Sequence, residues 1–479
     1  MRTRTILVSS LVSLALAGSF LACSDDGALP TATSSDGGPT SPTGTIPTDG
    51  APLPDGALPT KKLVTLSGDM KASTTLSAAT DYLLQGLVTV KAGTTLTIEK
   101  GTVLKGEAQS KAILLVEAGA KIVAEGTEDE PIVFTSQAAP GDRRAGDWGG
   151  VVILGNAPVN VPGGKGNIEG ILKTVSGTQY GGSDPDDSSG VFRFVRIEYA
   201  GVVLAQDNEV NGLTLGGVGR GTKLDHVQVR QALDDCFEFF GGTVDAKYLA
   251  CQGNEDDGFD WDNGYSGRLQ FLVLQQSPNH VGEDNGFEAD NDAQGSANAP
   301  VSNPTIFNAS LFGKNADVDN VQYGMLLRRN TRATIKNVLV SGFEASIDVR
   351  DPATAQNATS GSLSLTNSLF WNAKNAGVTN QIAYPETGET APNKDNDGAF
   401  DELAWFNGAA SKNVVADPKT DGAFAQEGPV FGPASSLVSN AATPPSDGFF
   451  DASATYVGAF KDATDNWATR GKWTVWSAK

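Results

Sequence analysis

Asp235-Cys236-Phe237-Glu238, Asp257-Gly258-Phe259-Asp260 and Asn285-Gly286-Phe287-Glu288 repeat one phrase, the second copy 22 residues after the first and the third 28 after the second. A period in the low twenties, with a hydrophobic residue at the centre and an acid behind it, describes one turn of a solenoid whose strands stack in register. The acids then form a ladder. Extending the register gives an inward row of Leu213, Phe237, Phe259, Phe287, Met325 and Ile347. A second inward row follows two residues later: Leu215, Phe239, Trp261, Ala289, Leu327 and Val349. Side chains alternate across a strand, so the positions between and after these rows face outward. They are Thr214, Glu238, Asp260, Glu288, Leu326 and Asp348, then Gly216, Phe240, Asp262, Asp290, Arg328 and Arg350.

Stacked carboxylates need a counter-charge. Like charges about 5 Å apart repel by roughly 1 kcal/mol in water and more at lower dielectric, and directly opposed like charges weaken a sheet. A hard cation such as calcium, which takes six to eight oxygens, is one answer. The arginines that follow in the same row are another. The expected metal set is Glu238, Asp260, Asp262, Glu288, Asp290, Asp235 and Asp257, with Phe240, Arg328 and Arg350 as ligand-binding neighbours. For Asp234, Asp256 and their neighbours at the strand entry, a turn role and a cation role both stay open.

A second phrase supports the solenoid: Phe192-x-Phe194-Val195-x-Ile197 recurs at Leu224, Ile306, Ile335 and Leu365, usually with Asn at the third position. His226 takes that place in its own copy and is read as structural. Val90-Lys91-Ala92-Gly93 recurs as Val116-Glu117-Ala118-Gly119, and Gly126-Thr127-Glu128-Asp129-Glu130-Pro131-Ile132-Val133-Phe134-Thr135 closes the next turn. These runs resemble the right-handed parallel β-helix of the pectin-lyase-like class. Together with Asp147-Trp148-Gly149-Gly150, Asn211-Gly212-Leu213-Thr214 and Tyr456-Val457-Gly458-Ala459-Phe460, they are similar to bacterial secreted and lipid-anchored β-helix proteins, a group without an established activity. The expected fold is all-β: a right-handed parallel β-helix over residues 62–380 and a small C-terminal cap over 381–479, covering the open end.

The N-terminus reads as an export signal. Arg2 and Arg4 precede an apolar run from Ile6 to Phe20, and Phe20-Leu21-Ala22-Cys23 resembles a lipobox. Residues 1–22 are then a lipoprotein signal peptide, Cys23 is the lipidated residue, and the Ser/Thr/Gly/Pro-rich stretch 23–61 is a disordered tether. The expected location is outside the cell membrane, lipid-anchored at the outer membrane or cell surface. The chain of 479 residues carries a formal charge of −21, which argues against nucleic acid. A monomer is expected, contacting membrane through its anchor and a polysaccharide or other envelope component through its folded part. Cys236 and Cys251 are expected as free thiols: Cys251 aligns with Val229 and Val273 in the core, while Cys236 aligns with Gly258 and Gly286, placed on the outer side.

Two enzyme patterns come with the resemblance. Pectate-lyase-like enzymes hold calcium with stacked acids and use a neighbouring Arg as base, which makes Arg328, Arg350 and Asp260 the catalytic candidates of a calcium-dependent polysaccharide lyase. Leu233-Asp234-Asp235-Cys236-Phe237 resembles a polygalacturonase phrase, but its order relative to Asn254-Glu255-Asp256-Asp257-Gly258 is reversed and that family's other phrases have no match. A glycoside hydrolase is therefore less favoured than a lyase. Two histidines leave no material for a His-rich zinc site. The start of a calcium loop at Asn393-Lys394-Asp395-Asn396-Asp397-Gly398 lacks its closing Glu. The preferred reading is a non-enzymatic binding or scaffold module whose acidic ladder holds calcium.

Overall fold

A computed structural model describes residues 61–205, 208–278, 285–316, 322–373 and 396–477. Within them, 24 strands join in a continuous parallel sheet that winds as a right-handed β-helix. One ladder of strands carries the repeated phrase: Gly150–Leu154, Leu213–Gly216, Phe237–Phe240, Phe259–Asp262, Phe287–Ala289, Tyr323–Leu327 and Ala345–Val349 pair in that order. The expected register holds residue for residue. Leu213, Phe237, Phe259, Phe287, Met325 and Ile347 are all fully buried, as are Phe239, Trp261 and Leu327 in the second inward row. Phe237 and Phe259 stack with ring centroids 5.3 Å apart, and Phe259 meets Phe287 edge-on at 5.9 Å. In the outward row Thr214, Glu238, Leu326 and Asp348 are buried, while Asp260 and Glu288 between them are partly exposed.

The second phrase forms the other long ladder, through Gly190–Glu198, Lys223–Arg230, Ala246–Gln252, Arg268–Gln275, Thr305–Phe312 and Ala333–Ser341. Its third position is a corner in the left-handed region. Phe194, His226, Tyr248, Phe271, Asn308, Asn337 and Asn367 take φ between 48° and 61°. Asn tolerates that conformation better than most residues, which explains the Asn in this phrase. The aromatic occupants compensate by stacking: His226 lies 4.3 Å from both Phe194 and Tyr248. His226 is structural, as its alignment implied.

Three features differ from the sequence reading. Cys236 and Cys251 are joined in a disulfide with Cα atoms 5.8 Å apart, so they are not free thiols. Alternation along the strand breaks at the corner before Phe237, so Cys236 is fully buried and faces the interior. Cys251 pairs in register with Val229 and Leu274, not Val273.

The C-terminal region differs in extent and not in kind, since it begins as the expected small cap. A short helix, Glu402–Phe406, puts Phe406 against Phe370 in the last turns. The chain beyond this cap runs back along the flank of the solenoid. Asn367 donates to the Asn440 carbonyl, Asn337 to Ala442, Asn308 to Tyr456, and Gln228 to Val475. Trp467, Trp473 and Trp476 seal this strap against the aromatic part of the corner row.

The third is a helix, Pro352–Ser360, which has no apolar period in its sequence. Asp351 caps its first turn by accepting from Ala353 and Thr354, Pro352 opens it, and Gly361 in the left-handed conformation closes it. Cys23, the expected signal peptide, nearly all of the tether and His280 lie outside the described residues. Of the possible calcium loop, Asn396, Asp397 and Gly398 are described: Asn396 Oδ1 accepts the Asp351 amide, and Asp397 Oδ1 accepts from the Ala399 and Phe400 amides as a turn residue does.

Candidate functional site: an acidic cleft on the repeat ladder

The carboxylates of the repeated phrase converge on a cavity of about 460 Å³. Its floor is the ladder itself, with Glu238, Asp260 and Glu288 in register on neighbouring strands and Asp262 and Asp290 beside them. Asp234, Asp235, Asp256 and Asp257 enter from the turns that precede the strands. Two side chains that the repeat did not disclose form the rim. Glu169 follows the strand Gly166–Asn167 and Glu209 sits on the hairpin Val202–Ala205/Asn208–Val210, both in insertions without the repeat pattern. Asn211 and Arg329 also line the cavity, and no signal in the sequence separated them from their neighbours.

The turn acids do two jobs. Asp235 Oδ1 accepts the Asp257 amide at 2.8 Å, Asp257 Oδ1 accepts the Asn285 amide at 2.7 Å, and Asn285 Oδ1 accepts the Tyr323 amide at 3.2 Å. One oxygen per residue thus ties each turn to the next, and the side chain still reaches the cavity. Both roles left open by the sequence are therefore compatible in one carboxylate. Glu238 accepts from the Asn211 amide group.

Desolvation and mutual repulsion keep these acids reluctant to ionise. Burial, with the charge of Glu209, pushes Asp234 up to about 7, and burial raises Asp262 to about 6. Asp235, Glu238 and Asp260 are also pushed well above the ordinary carboxylate range, first by burial and then by neighbouring carboxylates. Two carboxylate oxygens in the cleft, Asp234 Oδ2 and Asp260 Oδ1, are buried without a hydrogen-bond partner. Such atoms are costly unless something else meets them.

The arginines divide. Arg328 donates to Glu288 and, from Nε at 3.0 Å, to Asp290. Arg329 donates to the other oxygen of Asp290 at 2.7 Å. Burial and the charge of Arg329 push Arg328 down to about 10. Arg350 is apart from the acidic cavity: it pairs with Asp348 at 2.7 Å and donates to the Tyr323 hydroxyl at 2.9 Å. It lines an adjoining cavity of about 590 Å³ together with Arg328, Arg329 and Asp351. Phe240 is 6% exposed and packs against Tyr180 with centroids 6.2 Å apart. Its ring is wall packing rather than an open stacking platform.

Three overlapping sets of carboxylate oxygens lie within 4.8 Å of one another: Asp234, Asp235 and Asp256; Asp235, Glu238 and Asp260; and Asp257, Asp260 and Glu288. An all-oxygen donor set with unmet buried atoms fits a hard divalent cation better than a soft one.

Fold and site together define a parallel β-helix with a carboxylate-lined cleft on one ladder. Over residues 68–413 the chain matches the family described as the pectate-lyase-like β-helix domain, and it belongs to that family. No curated protein and no solved structure shows significant similarity to it.

Proposed function

We propose that this protein is an exported, lipid-anchored binding module whose acidic cleft holds calcium and, with it, contacts a polysaccharide of the cell envelope. The observation that carries the cation is the pair of buried carboxylate oxygens with no partner inside an all-carboxylate cleft. Glu238, Asp260, Asp262, Glu288, Asp290, Asp235 and Asp257 supply or flank the ligands. Export through the N-terminal signal and attachment through Cys23 accord with the disulfide, since such bonds persist in oxidising compartments.

The family and the lowered affinity of Arg328 for its proton favour a second reading, a calcium-dependent polysaccharide lyase with Arg328 as base. Against it, Arg328 is held by both Glu288 and Asp290, and a paired guanidinium is a poor base.

One experiment separates the readings. The melting temperature is measured with calcium and with a chelator, and the same protein is assayed on a panel of uronic-acid polysaccharides. The binding module shows a calcium-linked rise in melting temperature and no new unsaturated product. An absent shift sinks the cation site. An unsaturated product that disappears in Arg328→Ala or Asp260→Ala replaces the module with the lyase.

A further inference from the structure

Eleven carboxylate residues line the cleft against two arginines. One divalent ion leaves most of that imbalance in place, in a space where charge is poorly screened. The three carboxylate sets also differ in what already meets them. Glu288, in the third set, is engaged by Arg328, whose Nε also reaches Asp290. The first set contains the buried, unpartnered Asp234 Oδ2, and the second contains Asp260 Oδ1, on a residue that the third set shares. Asp234 is 5% exposed. No one set contains both Asp234 and Asp260, so one ion does not satisfy both oxygens.

We infer that the cleft is a two-cation site: one divalent ion lies at Asp235, Glu238 and Asp260, a second at Asp234, Asp235 and Asp256, and Arg328 stands where a third would go. This rests on the cation reading proposed above and extends it to number and position. Asp235 is shared, with its backbone-tied oxygen holding the side chain in place between the two sets. The two sets bridge the same pair of neighbouring turns, displaced from the strand entry toward its middle, and the third set bridges the next pair of turns along the solenoid. The guanidinium ends the series because it brings its own positive charge to Glu288 and Asp290 without a metal.

The test counts ions. The full chain is stripped with a chelator and dialysed against calcium at pH 8, and bound calcium per chain is measured by elemental analysis. Two per chain is expected for the natural sequence. Asp234→Asn and Glu238→Gln should each bind one, since each loses one set and keeps the other. If Asp234→Asn does not fold, judged by circular dichroism, Asp256→Asn removes the same set from the next turn. One ion per chain in the natural sequence, or two still bound after loss of the first set, overturns the two-ion arrangement and leaves the single cation site standing. Zero bound overturns both.

Discussion

At the scale of the residue, the disulfide replaces a packing pair. In neighbouring turns the position of Cys236 is Gly212, Gly258, Gly286 or Gly324, and an added Cβ there would come within 2.3 to 2.9 Å of Val229, Leu274, Leu311 or Val340. Those four residues are the register partners of Cys251. Each turn therefore fills the same interior gap with a glycine facing a large aliphatic side chain, except the one that fills it with two sulfurs. Closing a loop of 15 residues restricts the unfolded chain. Cys236→Ala should lower stability by about 3 kcal/mol. The double substitution Cys236→Gly with Cys251→Leu, which copies the neighbouring turns, should recover part of that loss. Denaturant midpoints of the three proteins check both expectations.

At the scale of the element, the corner row and the returning strap make one joint. The asparagines of the row meet strap carbonyls, and the aromatic members meet tryptophans: Trp473 lies edge-on to Phe194 at 6.1 Å and to His226 at 5.4 Å. A left-handed corner thus serves two purposes. It turns the solenoid, and it aims a row of side chains at the segment that covers the flank. Trp473 is fully buried. Trp473→Ala should cost about 3–5 kcal/mol and make the chain beyond Leu437 sensitive to limited proteolysis while the solenoid stays intact, read from the fragment masses. Early cleavage within the solenoid instead would mean that the strap is not a separable layer.

At the scale of the whole molecule, the cleft couples stability to pH and to cations. Asp234 and Asp262 hold their protons in the folded chain up to about pH 7 and pH 6, above the ordinary value of 3.8. The folded state thus binds more protons than the unfolded state across that interval. The stability from these groups is full below about pH 4 and is lost as pH rises through 6 to 7. With cations removed, the melting temperature should be lower at pH 8 than at pH 5 by roughly 5 °C or more. Calcium should restore it at pH 8 and do little at pH 5, where protons already occupy the oxygens. A thermal melt series with and without chelator reads this, and a calcium effect independent of pH would contradict it.

The sequence by itself determined the solenoid, the inward stack of Phe237, Phe259 and Phe287, and the ladder of Glu238, Asp260 and Glu288, because strand alternation and repeat offset are local properties that survive without coordinates. It also placed Arg328 beside Asp290, as one row of one register. Only the tertiary structure decided what depends on the chain meeting itself far away. Cys236 reaches Cys251 across an interior that alternation along one strand does not describe. Glu169 and Glu209 arrive at the rim from insertions with no period, and residues 437–477 fold back over earlier corners, with hydrogen bonds that span 73 positions at Asn367 and 247 at Gln228. Burial then sets the character of the acidic cleft: the same carboxylates, spread along an exposed ladder, would only be a solvated face. Enclosed beneath Glu169 and Glu209, they keep two buried oxygens without a hydrogen-bond partner among the described residues.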